Sequence, residues 1–278
     1  MGLIFRNKSL RALFSLVTLT LIFSSFKPYN GLYHTIDNYS FSRGEKLNYR
    51  VHLGFISAGE GTLEINDRIH HLNNRPCYKI DVYGKTTGIV DFFQRVRDHW
   101  GTYLDTASIV PHKFYQEIEE GDFRKHEIIE FDHFNDTAVV KRPDREEESV
   151  KYFKTPKQPQ DLISGYYYIR TLDYTHVKDG ELIKLKAFYD NTVYDFRVKF
   201  LGRETIKTKF GKIKSLVFAP IMPKNDVFED GEETIKIWLS DDDNKIPLKV
   251  WAKMFVGAVE IDIQSAENLR SPLVVLNK

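Results

Sequence analysis

Apolar and polar residues alternate through most of the chain from Phe41 onward. Lys46–Leu53 is the first clear case, since every second residue is apolar: Leu47, Tyr49, Val51 and Leu53. Val193–Phe200 repeats the pattern, with Tyr194, Phe196, Val198 and Phe200 on one side of the backbone. A period of two with one apolar face predicts antiparallel strands that have a core-facing and a solvent-facing side.

The same alternation predicts strands along nearly the whole of this region. They are expected at Lys46–Leu53, Thr62–Ile65, Tyr78–Tyr83, Asp98–Leu104, Lys113–Ile118, Lys125–Phe131, Thr137–Lys141, Leu182–Tyr189, Val193–Phe200, Ile213–Phe218, Thr234–Leu239, Pro247–Met254 and Ala258–Ile263. The composition agrees, because 20 Phe, 15 Tyr and 3 Trp are residue types that favour strands.

Helical periodicity is rare. Asp161 is a suitable helix start, and apolar residues then recur at helical spacing, at Leu162, Tyr166, Ile169 and Leu172. This predicts a helix over 161–173 packed on the sheet, and Gly88–Gln94 adds a turn or two. The charged stretch Lys141–Glu148 is either a linker or a long loop, and the similar strands on both sides favour a loop. We therefore expect a mainly β fold, a curved antiparallel sheet (half-barrel or open barrel) with one or two short helices.

The first residues indicate export. Arg6, Lys8 and Arg11 are followed by fifteen uncharged residues, from Ala12 to Phe26. This run is short for a membrane span, which needs about 20 residues, and is typical of a signal peptide. We expect a signal peptide at 1–26, an N-terminal extension at 27–40 and a soluble periplasmic protein with no transmembrane domain after cleavage. No clean small-x-small pair precedes Lys27. Two alternatives therefore stay open: an uncleaved anchor in the inner membrane, and a buried core helix.

Charge and cysteine content exclude several classes of protein. Forty basic and 39 acidic residues leave a net charge of +1, which gives no overall reason to bind nucleic acid. The single cysteine, Cys77, excludes an internal disulfide and a four-cysteine zinc site. Asp241–Asn244 and His126–Glu130 each lack a ligand that a calcium loop or a zinc-protease site requires. We expect neither a metal nor a cofactor.

The densest group of polar and aromatic residues lies between Asp91 and Tyr103. Arg95 and Arg97 are candidates to hold an anionic head group, and Trp100 and Tyr103 are candidates to contact the apolar part of the same ligand. The alternative is that the charges form a surface ladder and the aromatic residues fill a core.

Several segments, in order along the chain, resemble the bacterial DUF3108 family. They are Phe41–Val51, Gly54–Gly59, Val96–Asp98, Asp161–Arg170, Ile237–Ser240, Ile246–Leu248 and Val256–Val259. The resemblance implies one β-domain over residues 41–270 in an exported protein of the bacterial envelope with no assigned activity. By loose analogy it suggests an open, curved sheet such as those of periplasmic lipoprotein carriers.

Aromatic-rich strand faces without a catalytic motif favour binding over catalysis. We expect a binder or carrier of an apolar or amphipathic envelope ligand, a lipid or the acyl chain of a lipoprotein. Two alternatives stay open: a structural protein that docks an envelope partner through a sheet edge, and a hydrolase that would use Asp98, His112 and Glu117. The sequence does not determine the oligomeric state.

Overall fold

The alternating segments form strands in the computed structural model, which describes residues 31, 33–145, 149–221, 234–254 and 257–276. The chain divides into Met1–His34 and Thr35–Lys278, and every element named below belongs to the second unit. The predicted signal peptide, residues 1–26, lies outside the described residues.

Within the described residues, fourteen strands follow one another along the chain. They are β1 (Lys46–Leu53), β2 (Ile56–Leu72), β3 (Arg75–Thr86), β4 (Arg97–Asp105), β5 (Pro111–Glu120), β6 (Phe123–Asp132), β7 (Thr137–Lys141), β8 (Val150–Lys154), β9 (Leu182–Tyr189), β10 (Thr192–Thr208), β11 (Gly211–Ile221), β12 (Ile235–Ser240), β13 (Pro247–Lys253) and β14 (Ala258–Glu267). Three predicted strands, β1, β7 and β9, have the predicted bounds, and β8 was not predicted.

All fourteen strands belong to one sheet, in the order β8-β7-β6-β5-β4-β3-β2-β1-β14-β13-β12-β11-β10-β9. Every neighbouring pair is antiparallel, so each half of the sheet is a simple meander, and the pairing of β1 with β14 joins the two halves. Among the described residues, β8 and β9 do not pair with each other, so the sheet stays open. The predicted fold class is confirmed.

Two helices lie between the strands of the described region: α1 (Gly88–Phe93) and α2 (Leu162–Thr171). Asp161 begins α2 as predicted, because its Oδ1 accepts hydrogen bonds from the backbone N–H groups of Ile163 at 2.8 Å and Ser164 at 2.7 Å. No helix in the described ranges is long and apolar enough to cross a membrane.

The apolar strand faces and one side of α2 bury a common core. Tyr167 of α2 is fully buried against Phe41, with ring centroids 4.6 Å apart. A second cluster of buried residues lies beneath the end of α2 and consists of Tyr174, Val198, Phe200, Leu216, Phe218 and Leu239. Burial of this apolar surface holds α2 on one face of the sheet.

Candidate ligand-binding cleft

A cleft of about 440 Å³ lies between α2 and the sheet at β9 to β12. Its volume falls within the range of about 300–1,000 Å³ that is usual for small-molecule sites. Its lining is mostly aliphatic and aromatic: Gln160, Asp161, Leu162, Gly165, Tyr166, Ile169, Leu185, Ala187, Tyr189, Tyr194, Phe196, Val198, Phe218, Pro220, Ile237 and Leu239. The cleft is therefore suited to an apolar group.

The helical side of the cleft is the apolar stripe that the sequence predicts. Leu162, Tyr166 and Ile169 line the cleft, while the neighbouring face of α2 with Ile163, Tyr167 and Arg170 is buried in the protein. The helix thus presents apolar side chains on two adjacent faces. One face contacts the core, and the other forms a wall of the cleft, where Leu162 remains 54% exposed.

The opposite wall consists of every second residue of β10. Tyr194, Phe196 and Val198 line the cleft, as the predicted alternation requires of residues that share one strand face. Pro220 lies opposite Val198 in the neighbouring strand β11 and continues this wall. The period-two pattern of β10 therefore supplies part of the cleft directly.

Two polar residues, Gln160 and Asp161, line the cleft where α2 begins. Gln160 donates from Nε2 to the carbonyl oxygen of Ile109 at 3.1 Å. Its buried Oε1 has no hydrogen-bond partner among the described residues. Burial raises the pKa of Asp161 to about 6, although hydrogen bonds from Ser164 and Thr102 favour its ionised form. The Tyr166 hydroxyl is also buried without a partner among the described residues, so the site combines a large apolar lining with two unsatisfied polar atoms.

The four residues that the sequence singled out do not share one site: Arg95 precedes β4, and the other three are divided between the two faces of that strand. Arg97 and Tyr103 lie on the face that also carries His99, whereas Trp100 lies on the opposite face and packs against the core. Arg97 pairs with Asp91 at 2.7 Å. None of these residues lines the cleft described above.

Arg95 precedes β4, and its side chain is exposed to solvent. Its carbonyl oxygen accepts a hydrogen bond from Gly121 at 2.8 Å, which joins the start of β4 to the β5–β6 hairpin. The structure thus brings Arg95 and Arg97 to one end of the sheet, away from Tyr103 and on a different face from Trp100. A ligand-binding role for these four residues stays a prediction.

On the outer face of β3 to β5, polar side chains surround a buried carboxylate. Asp81 accepts hydrogen bonds from Tyr115 and Lys79 and lies 2.8 Å from His99 Nε2. Burial would raise the pKa of Asp81, but the hydrogen bond from Tyr115 and those from His99 and Lys79 lower it. This cluster is an ordered polar network, and its His99 also lines a surface pocket of about 310 Å³ together with Arg97.

The three residues considered for a hydrolase do not converge. His112 is buried beside Asp105, with Nε2 3.2 Å from Oδ2, and it lies near Pro111 at one end of the β4–β5 pair. Asp98 and Glu117 lie near the other end of that pair. Within the described residues, no group of three or more His, Cys, Asp or Glu side chains is placed to hold a metal ion.

Comparison with protein families identifies the chain. A family model described as "Protein of unknown function (DUF3108)" matches residues 48–264. The chain belongs to the DUF3108 family. No curated protein matches it.

A search of solved structures finds a similar fold in a distant protein. This DUF3108 chain is similar to a beta-barrel-like protein of the DUF1849 family from Brucella abortus, with 12% identity and a TM-score of 0.53 over 81% of this chain and 98% of the other. The hypothetical protein CT021 from Chlamydia trachomatis matches 85% of this chain and 93% of its own length, with 9% identity and a TM-score of 0.35. The first likeness concerns the fold alone.

Two segments that carry the DUF3108 resemblance meet at a buried ion pair that the sequence analysis did not predict. Arg170, the last residue of one segment, donates two hydrogen bonds to Glu45 of the other, at 2.6 and 2.8 Å. It also donates to the carbonyl oxygens of Ser40 and Asn244. The sequence signal for these two residues was their place in the DUF3108-like segments, as Gly44-Glu45 and Tyr168-Ile-Arg170. Residues 125 positions apart, however, give no local indication that they pair.

Proposed function

We propose that this DUF3108 protein binds the apolar part of an amphipathic envelope molecule, such as an acyl chain, in the cleft beneath α2. The observation that carries the proposal is the 440 Å³ cleft with its aliphatic and aromatic lining. Burying an acyl chain there removes apolar surface from water, which stabilises the complex by roughly 25 cal/mol per Å² of buried apolar surface. The proposed role is that of a binder or carrier.

The polar residues at the start of α2 support an amphipathic ligand over a pure hydrocarbon. Gln160 Oε1 is buried and unsatisfied among the described residues, and leaving such an acceptor without a donor is costly. A ligand hydroxyl or amide N–H at this position would satisfy it. The predicted export signal supports a source in the cell envelope, and we include a periplasmic location in the proposal.

Filling the cleft tests this function. Ala187 lies on β9 and lines the cleft, so Ala187→Trp would occupy part of its volume. We expect the wild-type chain to bind a fluorescent long-chain fatty acid, and A187W to bind it about tenfold more weakly. The control is Ala252→Trp, since Ala252 is also a half-buried strand residue but lies on β13, outside the cleft.

Thermal unfolding of both variants shows whether each remains folded, and binding by A252W should stay within about twofold of the wild type. Two results would contradict the proposal: no uptake of the fatty acid by the wild-type chain, or equal binding by A187W and the wild type. Native mass spectrometry of protein purified from an envelope fraction gives an independent measurement, in which bound lipid adds to the mass of the chain.

The open edge of the sheet supports a second candidate function. Among the described residues β8 pairs with β7 alone, and its residues Val150 and Tyr152 are 44% and 76% exposed. Such an edge can accept a strand from another protein. Crosslinking in envelope extracts separates the two candidates, because docking would yield one protein in stoichiometric amount and a carrier would not.

A further inference from the structure

Six of the exposed apolar side chains lie on three neighbouring connections, and we refer to them as the apolar tips. Phe55 is fully exposed at the β1–β2 turn, Phe92 and Phe93 are 85% and 77% exposed on α1, and Phe123 is 56% exposed at the β5–β6 hairpin. Ile56 and Ile89 complete the set. Single exposed apolar residues are common, but a group of large ones marks an interaction surface.

The topology places these connections side by side. Successive strands of a meander run in opposite directions, so the connections β1–β2, β3–β4 and β5–β6 all fall at the same end of the sheet. Backbone hydrogen bonds join them: Thr87 N–H donates to Ala58 at 2.9 Å, and Gly121 N–H donates to Arg95 at 2.8 Å. The apolar tips therefore lie together along one end of the sheet.

Helix α1 is held in place by polar bonds and not by burial. None of its residues is buried, although five of the six are Gly, Ile, Val or Phe. Asp91 accepts hydrogen bonds from Thr86 Oγ1 and from Arg97 Nη1, both at 2.7 Å. A helix of six residues is marginal in water without such support. The sequence thus orders α1 while leaving Phe92 and Phe93 in solvent.

Arg95 is the exposed basic residue beside α1. Lys85 pairs with Glu60 at 3.1 Å, and Arg97 pairs with Asp91 at 2.7 Å. The hydrogen bonds from Arg97 hold the pKa of Asp91 at about 2, so this carboxylate stays ionised and paired. The hairpin at 119–125 has three acidic and two basic residues, a net charge of −1. An anionic group at this end of the sheet would therefore find its basic contact at Arg95, beside α1.

We propose that the apolar tips insert into the head-group region of a phospholipid bilayer, with α1 and Arg95 nearest to anionic lipid. A fluid interface accommodates aromatic side chains that project from separate turns, whereas a protein partner needs a complementary packed surface. Basic residues beside apolar ones are typical of surface binding to anionic membranes. This docking function goes beyond ligand binding in the cleft and does not depend on it.

The same end of the sheet also contains the β9–β10 turn. Tyr189 and Tyr194 flank this turn, pair with Thr192 and Ala187 respectively, and line the cleft. A bilayer at the apolar tips would therefore lie at the end of the sheet to which the cleft extends.

A cysteine-scanning experiment tests the docking surface. Cys77 is fully buried, and burial raises the pKa of its thiol to about 11, so a cysteine introduced at the surface is labelled selectively. Phe92→Cys and Phe123→Cys each place the environment-sensitive dye NBD at a tip of the full chain. The matched control is Phe134→Cys, because Phe134 is 68% exposed in the β6–β7 turn at the opposite end of the sheet.

With vesicles of phosphatidylethanolamine and phosphatidylglycerol, we expect NBD emission at positions 92 and 123 to rise roughly threefold and shift to the blue. Emission at position 134 should stay unchanged. The proposal is overturned if the tips give no change, as expected for a surface that binds a protein, or if position 134 changes equally. An N-terminal segment that binds lipid would not alter this result, because the dye reports insertion of the tip itself.

A charge variant tests the lipid preference with the same readout. Arg95→Gln in the chain labelled at position 92 should weaken the response to phosphatidylglycerol vesicles about fivefold and leave any response to phosphatidylcholine vesicles unchanged. Equal weakening with both lipids would contradict a role for Arg95 in attracting anionic lipid.

Discussion

At the residue scale, the buried carboxylate of Asp105 is surrounded by hydrogen bonds. Its buried carboxylate accepts two hydrogen bonds from Arg75, at 2.5 and 2.9 Å, and others from the backbone N–H groups of Ala107 and Ser108. Burial would raise the pKa of Asp105, but the hydrogen bonds from His112, Arg75 and the backbone lower it far below its ordinary value. This carboxylate closes the turn between β4 and β5.

A depressed pKa makes a prediction about acid stability. The stabilisation from Asp105 is fully present above the unfolded-state pKa, near 3.8, and is lost as the pH falls through the folded-state value. Asp105→Asn should lower the free energy of unfolding by about 3 kcal/mol at pH 7. In urea unfolding, the difference in the free energy of unfolding between wild type and D105N should stay constant from pH 7 to about pH 4 and narrow below it. A difference that is independent of pH would contradict this account.

At the element scale, α2 is anchored by a charge as well as by apolar packing. Arg170 is fully buried, and its guanidinium lies 5.1 Å from the ring centroid of Tyr167 and 5.2 Å from that of Phe41. Burial would lower the pKa of Arg170, but Glu45 raises it above its ordinary value, so Arg170 stays protonated. The ion pair connects α2 to the segment before β1 and positions the wall of the cleft.

Removing one partner of this pair should destabilise the fold strongly. Glu45→Gln leaves a buried guanidinium without its counter-charge, and we expect a loss of about 3–5 kcal/mol in the free energy of unfolding. The control is Glu64→Gln, because Glu64 forms an exposed pair with Lys46 at 3.0 Å. That variant should lose less than about 1 kcal/mol. Similar losses in the two variants would show that the buried pair does not anchor α2.

At the scale of the whole sheet, two open edges distinguish this architecture from a closed barrel. The edge of β9 is partly occupied, because Gln160 forms a parallel bridge with Ala187 just before α2. The chain thus places α2 beside β9, and that placement creates the cleft. The short β8 remains as the other edge.

Export is the prediction that concerns the complete chain. We expect protein recovered from an osmotic-shock fraction of a bacterial host with two membranes to lack about the first 26 residues, as judged by intact mass. The full 278-residue chain in a salt-resistant membrane pellet would instead show an N-terminal anchor. Recovery of the full chain from the cytoplasm would contradict export.

Local pattern predicted most of the fold. The period-two alternation located β1, β7 and β9 with the observed bounds, and the helical spacing after Asp161 located α2. It did not predict β8, which has five residues, follows a charged stretch and has an almost entirely exposed face. A strand with few buried side chains shows little alternation of apolar and polar residues, because that alternation reflects which side chains are buried.

The sequence by itself determined the strand faces, the apolar stripe of α2, the antiparallel class and the DUF3108 resemblance, because each depends on residues that are near one another in the chain. The tertiary structure alone decided that the stripe of Leu162, Tyr166 and Ile169 faces Tyr194 and Phe196 across a cleft, and that Arg170 meets Glu45. It also placed Arg97 and Trp100 away from that cleft. Such contacts depend on strand order and on the path of α2, which no local pattern encodes.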